Sequence, residues 1–348
     1  MFDSMGGVVL RGSPHSLYKK TENHMNILFD GNYLYHKTFS VFSTYYKGQD
    51  MSEVLQDNEK QQVLIRKCII DMCYALSKFK DVKRVAFVID SYSWRYNFYD
   101  DYKYALTRVR DPYYKHFLTV LDMFEALLRK KGLIVSRVMG AEGDDLLYVW
   151  ALYFGYCLDE ELVIITGDSD IRQIMTKNVA LFNNNSKNLK MYCTPEREVF
   201  WNEYLETDVQ VIATKPFEVL LYKVIMGDTS DNIPKLKSGF GPKAFEKFID
   251  FISPYDEPKN VELVEMAQWI ASRFSDFTKM KYEDVLGKVL FNLKMTWLNL
   301  SVYNNTDYRT KNGKSLLENM LDDVNNQKDN YSYKGEYTLE SFYGMIIK

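Results

Sequence analysis

A chain of 348 residues with a formal net charge of −3 and 15% aromatic content is long enough for a well-buried core and too apolar for a long disordered protein. Its four cysteines, Cys68, Cys73, Cys157 and Cys193, form no Cys-x-x-Cys doublet, which argues against a zinc ribbon or a disulfide scaffold and fits a reducing compartment. The apolar run Val8-Val9-Leu10 is too short to span a membrane and has no secretory cleavage pattern, so a soluble cytoplasmic protein with a loose N-terminal tail is expected.

From Asn26 onward, short apolar runs ending in acids alternate with helical spacing. Asn26-Ile27-Leu28-Phe29 reads as a buried strand closed by Asp30-Gly31. Val54, Leu64, Cys68, Ile69, Met72 and Leu76 give one apolar helix face over Glu53 to Phe79, and Val85 to Ile89 is a second strand ending in Asp90. Helical spacing resumes from Phe117 to Leu128 and stops at Gly132, ahead of a strand over Leu133 to Val138. A helix opens near Ala141 or Glu142, Leu162 to Thr166 is a continuous apolar strand followed by Gly167-Asp168, and another helix is expected near Ser169. The tract 183–188 is a turn between short strands, and Thr194-Pro195-Glu196 starts a further helix. Helices are expected over Pro216 to Met226 and Ala244 to Ile252. Beyond Val261 the pattern is helical, with an apolar strand over Val289 to Leu300 and an ambiguous polar stretch from Asn304 to Tyr333. Strands alternating with helices imply an α/β fold with a mostly parallel central sheet flanked by helices. In such folds ligands gather beyond the carboxyl ends of the strands.

The acids fall at those ends. Asp30, Asp90, Asp168 and Asp170 follow strands; Glu142, Asp144 and Asp145 begin a helix; Asp228 and Asp231 follow another. Each aspartate alone is better explained as a turn or cap residue, and the helix-start acids by the helix dipole. Their recurrence at successive strand ends is not. Carboxylates brought together repel and take up protons unless hard divalent cations satisfy them. Two such cations about 4 Å apart can activate water and stabilise a leaving oxygen, so hydrolysis of a phosphodiester needs no protein nucleophile. Two basic tracts flank the acids, Lys103, Arg108, Arg110, Lys115, Arg129, Lys130, Lys131 and Arg137 in one and Lys235, Lys237, Lys243 and Lys247 in the other. Read alone, either is ordinary solvated surface; around an acidic metal centre they would hold phosphate.

The ordered motifs Leu28-Phe29-Asp30-Gly31, Phe87-Val88-Ile89-Asp90, Trp94-Arg95, Tyr102-Lys103, Gly140 to Asp145, Thr166 to Asp170 and Gly227 to Pro234 resemble those of the structure-specific 5′ nuclease family. That family includes flap endonucleases, the 5′ nuclease domain of bacterial DNA polymerase I, and phage RNase H or 5′-3′ exonucleases; the chain is most similar to the phage branch. The resemblance covers roughly Asn26 to Ile252.

It implies a PIN-like core over 26–225 with a helical arch over 95–130, a helix-two-turn-helix duplex-binding module over 226–260, a tail over 1–25 and a mainly helical region over 261–348. Asp30, Asp90, Glu142, Asp144, Asp145, Asp168, Asp170, Asp228 and Asp231 would then be metal residues, for two Mg²⁺ or Mn²⁺ ions. Lys103 would approach the scissile phosphate. Relatives carry an arginine three residues later, where this chain has Leu106, so Arg108 is the nearer candidate for that role. Nucleic acid would be held by Arg95, Tyr102, Arg110, Lys115, Lys237, Gly239, Gly241 and Lys243. Gly239-Phe240-Gly241-Pro242-Lys243-Ala244 resembles the family hairpin, which binds K⁺ in relatives. Expected partners are 5′ flap or overhang DNA, an RNA–DNA hybrid, and a single-strand-binding protein or replisome component. A monomer without membrane association, acting in the host cytoplasm, is expected. Two other readings are an inactive junction-binding replication protein and a PIN-like ribonuclease.

Overall fold

The computed structural model describes residues 25–103, 111–185, 188–205 and 207–329. The expected tail up to residue 24 lies outside them, as do Arg108 and Arg110.

A seven-stranded sheet is built from β1 (Met25–Asp30), β2 (Val82–Val88), β3 (Ile134–Ser136), β4 (Glu161–Ile165), β5 (Val179–Asn183), β6 (Leu189–Cys193) and β7 (Val209–Ala213), in the order β3-β2-β1-β4-β5-β6-β7. All neighbours run parallel except β5 and β6, which the turn after Asn183 joins antiparallel. The register decides where the acids emerge. Phe29 lies level with Phe87 on one side and Ile165 on the other, so β1, β2 and β4 end together. Asp30, Asp90 and Thr166 therefore leave the sheet at one edge.

Side chains on successive strand residues face opposite ways, and both faces are covered. Ile27, Phe29, Phe87, Val163 and Ile165 enter one core with α1 (Gly31–Tyr45), α2 (Met51–Gln56), α3 (Asn58–Leu76), α4 (Tyr114–Lys130) and α6 (Glu198–Tyr204). Leu28, Ala86, Val88, Leu162 and Ile164 enter the other with α5 (Gly143–Ala151), α7 (Pro216–Met226), α8 (Pro242–Ile252), α9 (Leu263–Thr278), α10 (Tyr282–Thr296), α11 (Leu300–Asn304) and α12 (Leu316–Gln327). The residues after 261 thus share a core with the sheet. Gln327 of α12 also accepts the backbone N–H of Val135 on edge strand β3 at 3.2 Å.

Several elements differ from expectation. The apolar run Val289 to Leu300 is not a strand: Val285, Val289 and Leu293 recur every fourth residue on α10 and are buried. Asp57 divides the helix expected over Glu53 to Phe79, because its carboxylate caps α3 by accepting from the N–H groups of Glu59 and Lys60. Near Ser169 there is only a 3₁₀ segment, 170–174, and α5 continues into a π-helical segment over 152–157. Neither α1 nor β7 was expected. No helix among the described residues is long and apolar enough to cross a membrane.

Candidate active site

One group of carboxylates at the sheet edge forms no ion pair among the described residues, although Lys103 pulls on Asp90 and Asp144 from nearby. Asp30 caps α1, its Oδ1 accepting from the Tyr33 N–H and its Oδ2 from the Thr166 hydroxyl, each at 2.9 Å. The turn-and-cap role and the site role thus coexist in one residue. Burial, with Asp90 and Asp168 nearby, pushes its carboxyl up to about 7 against the pull of the Tyr33 N–H. Asp90 accepts the Gly143 N–H at 2.6 Å. A Cβ on residue 143 would sit 2.8 Å from that oxygen, so glycine lets the start of α5 close onto Asp90. Desolvation, then Glu142 and Asp145, raise Asp90. Asp144 has no hydrogen-bond donor among the described residues; burial, Asp168 and Asp30 hold its carboxyl well above the usual range.

The other group is paired with cations. Glu142 Oε2 accepts from the Ser93 hydroxyl at 2.9 Å, Arg95 Nη1 at 2.8 Å and the Tyr102 hydroxyl at 2.8 Å, and Oε1 accepts from Lys103 Nζ. Burial alone would raise Glu142, yet Arg95 and Lys103 outweigh it and hold the carboxyl at about 2. Lys103 sits at φ 52° and donates its backbone N–H to the Asp231 carbonyl at 3.2 Å, which docks its loop on the turn after α7. In that turn Asp228 and Ile233 exchange backbone bonds of 2.9 and 2.7 Å. Gly227, at φ 67°, is required there: a Cβ would lie 2.3 Å from the Ile233 carbonyl oxygen. Lys223 Nζ lies 2.5 Å from both Asp170 and Asp228. Against burial it holds Asp228 low, while burial and Asp168 keep Asp170 high. Burial brings Asp231 to about 6 in spite of Lys103. Asp168 is exposed and accepts the Asp170 N–H at 2.8 Å.

Three residues occupy other positions than expected. Asp145, expected to ligate metal, is fully buried: Arg95 donates to both its oxygens, and Tyr303 and the Glu142 N–H also donate to it. No oxygen remains open. Arg95, expected on nucleic acid, is 3% exposed and spends its guanidinium on Glu142, Asp145 and the Met295 carbonyl. Tyr102, expected there too, is buried with its hydroxyl on Glu142. Glu142 and Asp145 do share one side of the helix start, while Asp144 turns to Asp30 and Asp168, as helical spacing dictates.

The segment expected as an arch divides. Residues 95–103 fold onto the turn after α7, where Asn232 donates to the Asp101 carbonyl and to Tyr99; α4 packs Phe117, Val120, Phe124 and Leu128 into the core. Lys115 is exposed on the first turn of α4. In the hairpin before α8, Gly239 (φ 75°) and Gly241 face open space, Lys243 is exposed, and Lys237 is half-buried with Nζ 3.5 Å from the Thr278 carbonyl.

Four contributors escaped sequence reasoning: Lys223, Thr166, Ser93 and Tyr303. Lys223 alone left a signal, a cation in the last turn of α7 five residues before Asp228. The others are polar residues identified only by what folding brings beside them.

Glu142, Asp144, Asp170, Asp228 and Asp231 line a cavity of about 30 Å³, together with Tyr102, Gln173 and Thr296. Its five carboxylates, three of them raised, are oxygen donors of the kind that hard divalent cations take. Among the described residues no three His, Cys, Asp or Glu side chains close around one point as metal ligands.

The sequence from 25 to 204 matches the family model described as the 5′-3′ exonuclease, N-terminal resolvase-like domain. The chain belongs to this family. Its members are divalent-metal-dependent nucleases acting on DNA 5′ ends in replication or repair. A 5′-3′ exonuclease of Mycoplasmopsis pulmonis is 23% identical over 280 residues, spanning 79% of this chain and 81% of that protein. The thermostable DNA polymerase I of Thermus thermophilus is 27% identical over 228 residues, 64% of this chain but 23% of the longer polymerase. The structure of T5 D15 protein co-crystallised with metal ions shares the fold, with a TM-score of 0.53 and 15% identity over 89% of this chain and 100% of that one.

Proposed function

We propose that this 5′ nuclease cleaves at duplex–single-strand junctions, using divalent cations held by Asp30, Asp90, Asp144, Asp168, Asp170, Asp228, Asp231 and Glu142. One observation carries the reading: carboxyls from three level strand ends and two helix termini converge until several can no longer all ionise. Mg²⁺, or Mn²⁺ in its place, would neutralise these acids, activate a water and stabilise charge on the departing oxygen. Asp30, Asp90 and Asp144 supply acids with no ion pair among the described residues, while Lys223 holds Asp170 and Asp228 at the cavity that Asp144 also lines. Arg95, locked by Asp145, orients Glu142. Lys103 holds a proton firmly beside Glu142 and Asp231 and offers its ammonium to the scissile phosphate. Arg108 is the proposed second cation there.

Duplex DNA is assigned to the hairpin 237–243 of a helix-two-turn-helix module. Open Gly239 and Gly241 let a backbone approach, Lys243 and the start of α8 attract phosphate, and carbonyls could take K⁺. The core is assigned to the PIN-like class with an arch region over 95–130, and Arg110 and Lys115 are assigned to nucleic acid. Recognition is of shape and phosphate, so a 5′ flap, a 5′ overhang and an RNA–DNA hybrid are all suitable substrates. The test is incubation of a labelled 5′ flap and an RNA–DNA hybrid with Mg²⁺, with EDTA as control. Short 5′ products that EDTA abolishes are expected. A wild-type chain that binds the junction and leaves both substrates intact contradicts the proposal.

A further inference from the structure

The Trp94–Arg95 and Lys294–Met295 pairs form a wall with two sides. Arg95 and Met295 face the acid cavity, joined by the Arg95 Nε bond to the Met295 carbonyl at 2.9 Å. Trp94 and Lys294 face a second cleft of about 230 Å³, which the mechanism above does not use. It is lined by Trp94, Asn97, Phe98, Lys294, Asn305 and Tyr308.

We propose that this cleft holds one unpaired nucleotide of the DNA substrate, its base against Phe98 and its phosphate on Lys294. The proposal deepens the nuclease reading and rests on it. Phe98 is 45% exposed and lies near-parallel to Phe291, their ring centres 6.2 Å apart, so much of its ring is open to a ligand in the cleft. Lys294 Nζ sits 4.9 Å from the centre of the Phe98 ring. A base on that ring would therefore carry its phosphate within reach of an ammonium. Asn97 and Asn305 are exposed amides that can donate to and accept from base edges, and Asp307 adds an acceptor for an exocyclic amine. The volume suits one nucleotide and excludes duplex. Of the other aromatic residues in 92–102, Trp94 and Tyr102 are buried, and Tyr92, also exposed, leans tilted against Tyr96 and does not line the cleft.

The proposal is tested by anisotropy with fluorescent duplexes in EDTA, so that no turnover intervenes. Three ends are compared: blunt, a one-nucleotide 5′ overhang and a one-nucleotide 3′ overhang. Wild type should bind one overhang more tightly than the blunt duplex. Phe98→Ala should remove roughly ten-fold of that preference, Phe98→Trp should restore it, Lys294→Ala should weaken it, and Tyr92→Ala should leave it intact. A wild type without preference, or a Phe98→Ala variant that keeps it, overturns the proposal. The nuclease reading fails separately, through uncleaved flap and hybrid substrates in Mg²⁺.

Discussion

Glu142 and Asp30 sit at adjoining element ends of one sheet edge, yet the first is held at about 2 and the second is pushed up to about 7. The difference lies in the neighbours. Around Glu142 the fold supplies Arg95 and Lys103; around Asp30, Asp90 and Asp144 it supplies further carboxylates. A paired acid such as Glu142 is kept ionised and in place by its cations. A group of acids without ion pairs is disfavoured by burial and by its own charges, and in the proposed mechanism a divalent ion would relieve this.

The largest expected effect breaks the paired half. Arg95→Leu leaves Asp145 and Glu142 without their guanidinium, and denaturant unfolding should show a loss of about 3–5 kcal/mol. A loss under 1 kcal/mol would mean that Lys103 and Tyr303 suffice. In the unpaired half, Asp144→Asn should cut flap turnover at least about 100-fold, since it removes several kcal/mol of transition-state stabilisation. The same change should not lower the metal-free melting temperature, because it removes a repelled acid. Lower stability with intact turnover would reverse the roles of the two halves.

The unpaired half also sets a pH dependence. Asp30 rises from 3.8 to about 7 and Asp231 to about 6, so between those values the folded chain holds protons the unfolded chain releases. Their contribution is fully present below 3.8 and is lost as pH rises through 6 and 7. Metal-free protein should therefore lose up to about 4 kcal/mol between pH 5 and 8 from these groups, and Mg²⁺ should restore more stability at pH 8 than at pH 5. A metal-free melting temperature that rises over this window would count against the repulsion. Smallest is Lys243→Ala, which should weaken duplex binding and lower the salt slope of log Kd by about 1; an unchanged slope would place the lysine away from phosphate.

Strand ends are local events, so Asp30, Asp90 and the acids after Ile165 could be read from apolar runs that stop at an acid. The pairing could not. Arg95 reaches Met295 across 200 positions and Tyr303 reaches Asp145 across 158, and no local pattern marks either partner. Arg95 and Tyr102 looked like surface residues because each stands in an aromatic, basic stretch, but the C-terminal helices bury them. Val289 to Leu300 looked like a strand because the run is apolar; only the period from Val285 to Leu293 shows the helix. The apolar stripe of α4, by contrast, was legible in the sequence, and its packing into the core follows from it.

The most direct test is calorimetric titration of Mn²⁺ into EDTA-treated, dialysed protein at pH 6.5, repeated in buffers of different ionisation enthalpy. If cations are bound by acids that burial and neighbouring carboxylates keep protonated, binding releases protons, the release shrinks toward pH 8.5, and Asp144→Asn reduces it. Binding without proton release at pH 6.5, or no binding at all, would contradict the account.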